Sequence, residues 1–178
     1  MRDDKTLARP WAIPGTPGLE HRIGGIEGQN VTGNINYSPE NHELMTELRA
    51  AKVARVVQEI PPTRIHGPKQ GDALIVGWGS TFGPLHAAVD ELTKAGRSVA
   101  HAHIRFMNPL PPDLTEIFKN YKKVIVPEMN SGQLSMLLRA KFLVDAIGIN
   151  KVQGKPFTIR ELVRRIGDVM DGRKLEVV

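Results

Sequence analysis

A chain of 178 residues, 40% hydrophobic and 24% charged, is long enough for a core and too balanced for disorder, and no run in it approaches the ~20 apolar residues of a bilayer span. Its formal charge of +5 is dispersed among acids, with no basic block and no one-sided basic stripe, so nucleic acid is not an expected partner. The lack of cysteine excludes disulfides, thiolate metal sites and iron–sulfur ligation by this chain, and the polar start MRDDKTLARPW has no apolar leader, which makes the cytoplasm the expected location.

Residues 1–37 interleave Pro10, Pro14 and Pro17 with a series of glycines, a density that neither helix nor long strand survives. Trp11, Ile13, Leu19, Ile23, Ile26, Val31 and Tyr37 nevertheless favour burial, so this lead-in is expected to pack against something, a domain or subunit outside this chain being one candidate. Ser38 and Pro39 then open a helix expected over roughly residues 39–58, ended by Pro61-Pro62. Residues 61–72, PPTRIHGPKQGD, form a turn-rich connector. The expected division is a lead-in with a helix over 1–71 and an α/β domain over 72–178.

From Asp72 the pattern is regular. An apolar strand at 73–78 runs through Gly77-Trp78-Gly79-Ser80-Thr81 into a helix at about 83–96, with Leu85, Ala88, Val89 and Leu92 on one face. A second strand, 98–104, ends before Asn108-Pro109. Asp113 and Glu116 make an acidic capping box for a helix carrying Leu114, Ile117, Phe118 and Tyr121. A third strand, 123–127, passes through Glu128-Met129-Asn130-Ser131-Gly132 into a helix with Leu134, Leu137, Leu138 and Phe142. A weaker strand near 151–153 precedes the capping box Thr158/Glu161 and the stripe Ile159, Leu162, Val163, Ile166. This βαβαβαβα order predicts a three-layer α/β fold, a mainly parallel open sheet with helices on both faces.

Such sheets place ligands at the carboxyl ends of their strands. The candidate anion- or ligand-binding residues are therefore Gly77, Gly79, Ser80 and Thr81 after the first strand, Asn108 after the second, and Glu128 and Asn130 after the third. The glycine turn is one residue too long for the dinucleotide fingerprint, and Arg105 stands where a ribose-binding acid belongs, so an NADP-type pocket is an alternative rather than the expectation. His101 and His103 share a strand face and could hold a metal with a third ligand such as His86, although packing between sheet and helix is the commoner use of such residues, and no metal ligand is assigned. Glu128 has the position of an acid–base catalyst, but an orienting role is favoured, and no catalytic residue is assigned.

The strings RPWAIPGTPGLEH, GNINYSPENHELMTELRAAKV, VGWGSTFGPLHAAVDEL, HAHIRFMNPLPPDL and VPEMNSGQLSMLLRAKFLVDA together resemble the alpha subunit of 2-oxoacid:ferredoxin oxidoreductases, in particular those acting on 2-oxoglutarate. The resemblance runs from about Arg9 to Arg165 and corresponds to the C-terminal part of that subunit, a domain similar to the C-terminal domain of transketolase. It implies a non-catalytic assembly and positioning domain, with no cofactor in this chain. Thiamine diphosphate, Mg²⁺ and an iron–sulfur cluster are implied for the complete complex. The implied partners are the remainder of the alpha subunit and the beta subunit, with ferredoxin and CoA at complex level, no nucleic acid, no membrane, and a homodimer as a further possibility. A stand-alone NADP-binding reductase and a CoA-binding module remain the alternatives.

Overall fold

The computed structural model of the chain describes residues 1–21 and 24–173; Ile23 lies outside them. The chain divides into two compact units, Met1–Ile60 and Pro61–Val178.

The first unit is built around helix α1 (Pro39–Arg55), which tightens into a 3₁₀ turn at Val56–Glu59. The Ser38 hydroxyl accepts from the Asn41 backbone N–H, and Pro39 occupies the first turn, where its missing N–H costs nothing. Polar ties gather the irregular lead-in onto this helix. Buried Asn41 accepts from the Asn30 N–H and donates to the Gly28 carbonyl, and Glu27 lies 2.6 Å from His42 Nδ1 and 2.7 Å from Arg49. Of the apolar residues expected to be buried, Trp11, Ile13, Leu19, Ile26, Val31 and Tyr37 are exposed, Trp11 at 94%. The proline and glycine content denies them a regular element on which to assemble a core.

The second unit holds one sheet of five strands. They are β1 (Ile65–His66), β2 (Gly71–Trp78), β3 (Val99–Ile104), β4 (Tyr121–Glu128) and β5 (Ala146–Asn150), in the spatial order β1-β3-β2-β4-β5. All pairs are parallel except β1 with β3. Helices α2 (Phe82–Lys94) and α5 (Ile159–Met170) cover one face. There Ala73, Ile75, Val99, Ile125 and Ile149 meet Leu85, Val89, Leu162 and Ile166. Helices α3 (Leu114–Lys119) and α4 (Gln133–Phe142) cover the other, where Leu74, Val76, Ala102, Val124 and Val126 meet Leu114, Phe118, Leu134 and Leu138. Strand alternation feeds both layers, as a two-faced parallel sheet requires.

Five local expectations change. The last strand is Ala146–Asn150 rather than 151–153, because the apolar run Ala146, Ile147, Ile149 pairs with Val124–Glu128. Strand β1 comes from the connector and adds an antiparallel edge. Tyr121 begins β4 instead of ending α3. The Asp113 carboxylate makes no cap: it accepts from the Thr63 N–H and hydroxyl, both at 2.7 Å, and so ties the connector to α3. The Thr158 hydroxyl does accept from the Glu161 N–H, whereas the Glu161 carboxylate pairs with Lys151 at 2.6 Å.

Candidate functional site at the carboxyl edge

Two features occupy the carboxyl edge of the sheet. The first is a cleft of about 1040 Å³ where β1 and β3 meet the start of α2. Strand register sets His66 opposite His101 and Gly77 opposite His103, so the three imidazoles project toward the face that α2 covers. From the helix, Phe82, His86 and Asp90 recur every fourth residue and form one stripe. The rings of His66 and His86 stack with centroids 3.7 Å apart, Phe82 meets His103 edge-on at 5.1 Å, and His66 Nε2 lies 2.6 Å from an Asp90 oxygen. Trp78, Gly79 and Arg105 complete the rim.

His101 is 2% exposed, and its Nε2 has no hydrogen-bond partner. Burial, followed by the neighbouring charges of His103, His86 and His66, pulls its pKa down to about 3. Burial also lowers that of His103, helped by Arg105 and opposed by a hydrogen bond to the Gly79 backbone. The Asp90 carboxyl is held below its usual range chiefly by its hydrogen bond with His66. His86 Nδ1 and His103 Nδ1 are likewise buried without partners. At neutral pH the wall thus presents an uncharged His101 imidazole.

The second feature is the start of α4. Glu128, at the end of β4, is fully buried; its two carboxylate oxygens accept from the Leu134 and Ser135 N–H groups at 2.8 and 2.9 Å. The Asn130 side-chain oxygen accepts from the Gly132 and Gln133 N–H groups at 2.8 and 3.0 Å. Four consecutive amides at this helix start are therefore engaged by the protein's own acceptors.

The candidate residues fall into three groups, after the adjacent strands β2, β3 and β4. Gly79 lines the cleft at φ +59°, with open space around its missing side chain, so the left-handed turn alone demands glycine. Ser80 is exposed. The Thr81 hydroxyl accepts from the Trp78 N–H at 3.2 Å and donates to the Trp78 carbonyl at 2.8 Å, closing the turn. Asn108 lies exposed in the loop after β3. Gly77 is buried against α2: a methyl there would run into Leu85 and approach His101 Nε2 at 3.2 Å. Gly77→Ala is expected to destabilise the chain by about 1–3 kcal/mol, since fully buried Leu85 has nowhere to yield. An urea midpoint unchanged from the parent chain would contradict this packing.

The residues that the sequence leaves unassigned are His66 and Asp90. The spacing of four between His86 and Asp90 was a signal for one helix face; His66, inside a proline- and glycine-rich connector, carried none.

A family model described as pyruvate:ferredoxin oxidoreductase core domain II matches residues 71–162. The 2-oxoglutarate oxidoreductase subunit KorA of Mycobacterium tuberculosis is 47% identical over 99% of this chain and 27% of its own length. The 2-oxoglutarate synthase subunit KorA of Methanocaldococcus jannaschii is 28% identical over 92% of this chain and 47% of its own. Among solved structures, a 2-oxoglutarate:ferredoxin oxidoreductase from Magnetococcus marinus with 2-oxoglutarate, coenzyme A and succinyl-CoA bound superposes with a TM-score of 0.83. That match is 35% identical and covers 96% of this chain and 30% of the other. This chain accordingly spans well under two thirds of the length of these relatives.

Proposed function

This chain belongs to the pyruvate:ferredoxin oxidoreductase core domain II family, and on that premise we propose that it is the C-terminal part of the alpha subunit of a 2-oxoglutarate:ferredoxin oxidoreductase. The whole enzyme would convert 2-oxoglutarate, CoA and two oxidised ferredoxins to succinyl-CoA, CO₂, two reduced ferredoxins and a proton, in the cytoplasm. In this reading residues 72–178 assemble and position, residues 1–71 lead into them, and the chemistry belongs to other domains.

The single observation that carries the division of labour is the state of Glu128. The acid at the end of β4, where an acid–base group would stand, spends both oxygens on α4 amides. The same observation tests the chain against thiamine diphosphate. The diphosphate would need free amides or hydroxyls at a helix start, yet the four amides of α4 go to Glu128 and Asn130, and the Thr81 hydroxyl goes to Trp78. The start of α4 and the Thr81 hydroxyl do not fit the group, and no thiamine step is assigned to them. Thiamine diphosphate, Mg²⁺ and the iron–sulfur cluster accordingly belong, on this proposal, to the complete complex. Its partners are the rest of the alpha subunit and the beta subunit, with ferredoxin and CoA engaging the assembly and a homodimer as the further possibility.

Calorimetric titration of the chain with thiamine diphosphate plus Mg²⁺, with CoA and with NADP separates this reading from the others. Silence in all three runs, together with co-purification with a beta subunit, is the expected result. Micromolar NADP binding that Ser80→Ala abolishes would replace it with a reductase. CoA binding lost in the same variant would turn the β2 turn into a substrate site.

A further inference from the structure

Four of the chain's six histidines line the cleft beside α2, and nothing in the oxidoreductase reading uses them. We propose that His66, His86 and Asp90 bind a divalent transition-metal ion of the zinc class. One donor atom from each residue lies within 4.8 Å of the others. His86 and Asp90 stand four residues apart within the 13-residue helix α2, the spacing that puts two donors on one side of a helix. His66 approaches from β1, where pairing with His101 fixes its direction. Two imidazoles and one carboxylate form a donor set suited to zinc, cobalt or nickel rather than to magnesium or calcium.

A second observation independently points to a ligand. His86 Nδ1 is buried with no hydrogen-bond partner, as are His101 Nε2 and His103 Nδ1 close by. Buried polar atoms normally find partners, and three orphaned imidazole nitrogens in one place mark a site that takes something. Zinc–ligand bonds of about 2.0–2.1 Å set tetrahedral donors roughly 3.3 Å apart, so the His66–Asp90 pair, now 2.6 Å apart, must open slightly while a donor standing farther off, within 4.8 Å, draws in. Rotation about side-chain bonds supplies that movement, because the His66 and Asp90 side chains are 39% and 46% exposed, and it exchanges the His66–His86 ring stack for shared coordination. The cation then takes the place of the proton that His66 Nε2 shares with Asp90, and the cleft provides both the entry path and room for a water as fourth ligand. In this position the ion clips the two-residue edge strand β1 to α2.

The test uses the full chain stripped of metal, titrated with Zn²⁺ against a chromophoric chelator and separately with Co²⁺. One zinc per chain is expected, with the visible absorption of four-coordinate cobalt and no displacement by millimolar Mg²⁺. Asp90→Asn and His86→Gln are each expected to weaken zinc binding by about ten-fold or more, while His21→Gln leaves it unchanged. Asp90→Asn keeps the shape of an exposed side chain, so it decides the matter if His86→Gln fails to fold. Zinc affinity unchanged in Asp90→Asn, equal competition by Mg²⁺, or no saturable binding would each overturn the site.

Discussion

Replacing Glu128 with alanine is expected to lower the free energy of unfolding by about 3–5 kcal/mol, a large share of the stability of a domain this size. Removal of the carboxylate strands the Leu134 and Ser135 N–H groups in a region from which water is excluded, and it deletes the negative charge at the positive end of the α4 dipole. Glu128→Gln is expected to cost about 1–3 kcal/mol, because its amide oxygen can serve one backbone N–H while its NH₂ group faces the other donor to donor. Glu116→Ala provides the contrast. That carboxylate pairs with Lys119 at 2.7 Å, but both side chains are largely exposed, so its loss is expected to stay within about 0.5 kcal/mol. Urea denaturation of the three variants measures the differences. A Glu128→Ala chain as stable as its parent would remove the structural role and return this acid to the list of groups able to do chemistry.

The same residue marks how far the sequence could be read. The layered α/β architecture was legible because apolar strands such as Ala73–Val76 and helical stripes such as Leu85, Ala88, Val89 and Leu92 are local patterns, and local patterns fix element type. Strand β5 was displaced because Gly148 interrupts a short apolar run, which becomes a strand only through pairing with β4. Strand β1 was invisible: two residues in a proline-rich connector acquire their conformation from β3, which no neighbour in the chain announces. At the candidate site the positions of the turns could be read, but the occupancy of their donors could not. The engagement of the Leu134 and Ser135 amides by Glu128 spans six and seven residues, outside any capping spacing. Asn130, read from the sequence as an anion-binding candidate, did carry a capping signal: its side chain accepts two and three residues ahead. The histidine cluster divides the same way. The alternation of His101 and His103 was visible on one strand, while their meeting with His66 and Asp90 is a product of tertiary structure.

The cluster also sets the expected response of the chain to acid. His101 has a pKa near 3 in the folded chain against an ordinary value of about 6.5 when unfolded. Between these values the unfolded state binds a proton that the folded state refuses, so stability is complete above about pH 6.5 and falls as the pH drops toward 3. At about 1.4 kcal/mol per pH unit, His101 alone removes on the order of 2 kcal/mol by pH 5 and on the order of 4 by pH 3.5. The lowered pKa of His103 acts in the same direction. The carboxylates held below their usual range, Asp72, Asp90, Glu161 and Asp171 among them, are still ionised at pH 5. They withdraw their support only at lower pH, which leaves the interval from pH 7 to 5 to the histidines. His101→Leu replaces the imidazole with an apolar group of similar size and is expected to flatten that interval, leaving the smaller His103 contribution. Unfolding midpoints in urea at pH 7, 6 and 5, with a chelator present to keep metal from the cluster, give the comparison. If parent and variant lose stability in parallel over that range, His101 accepts its proton while folded, and the cleft is wetter and more polar than its packing implies.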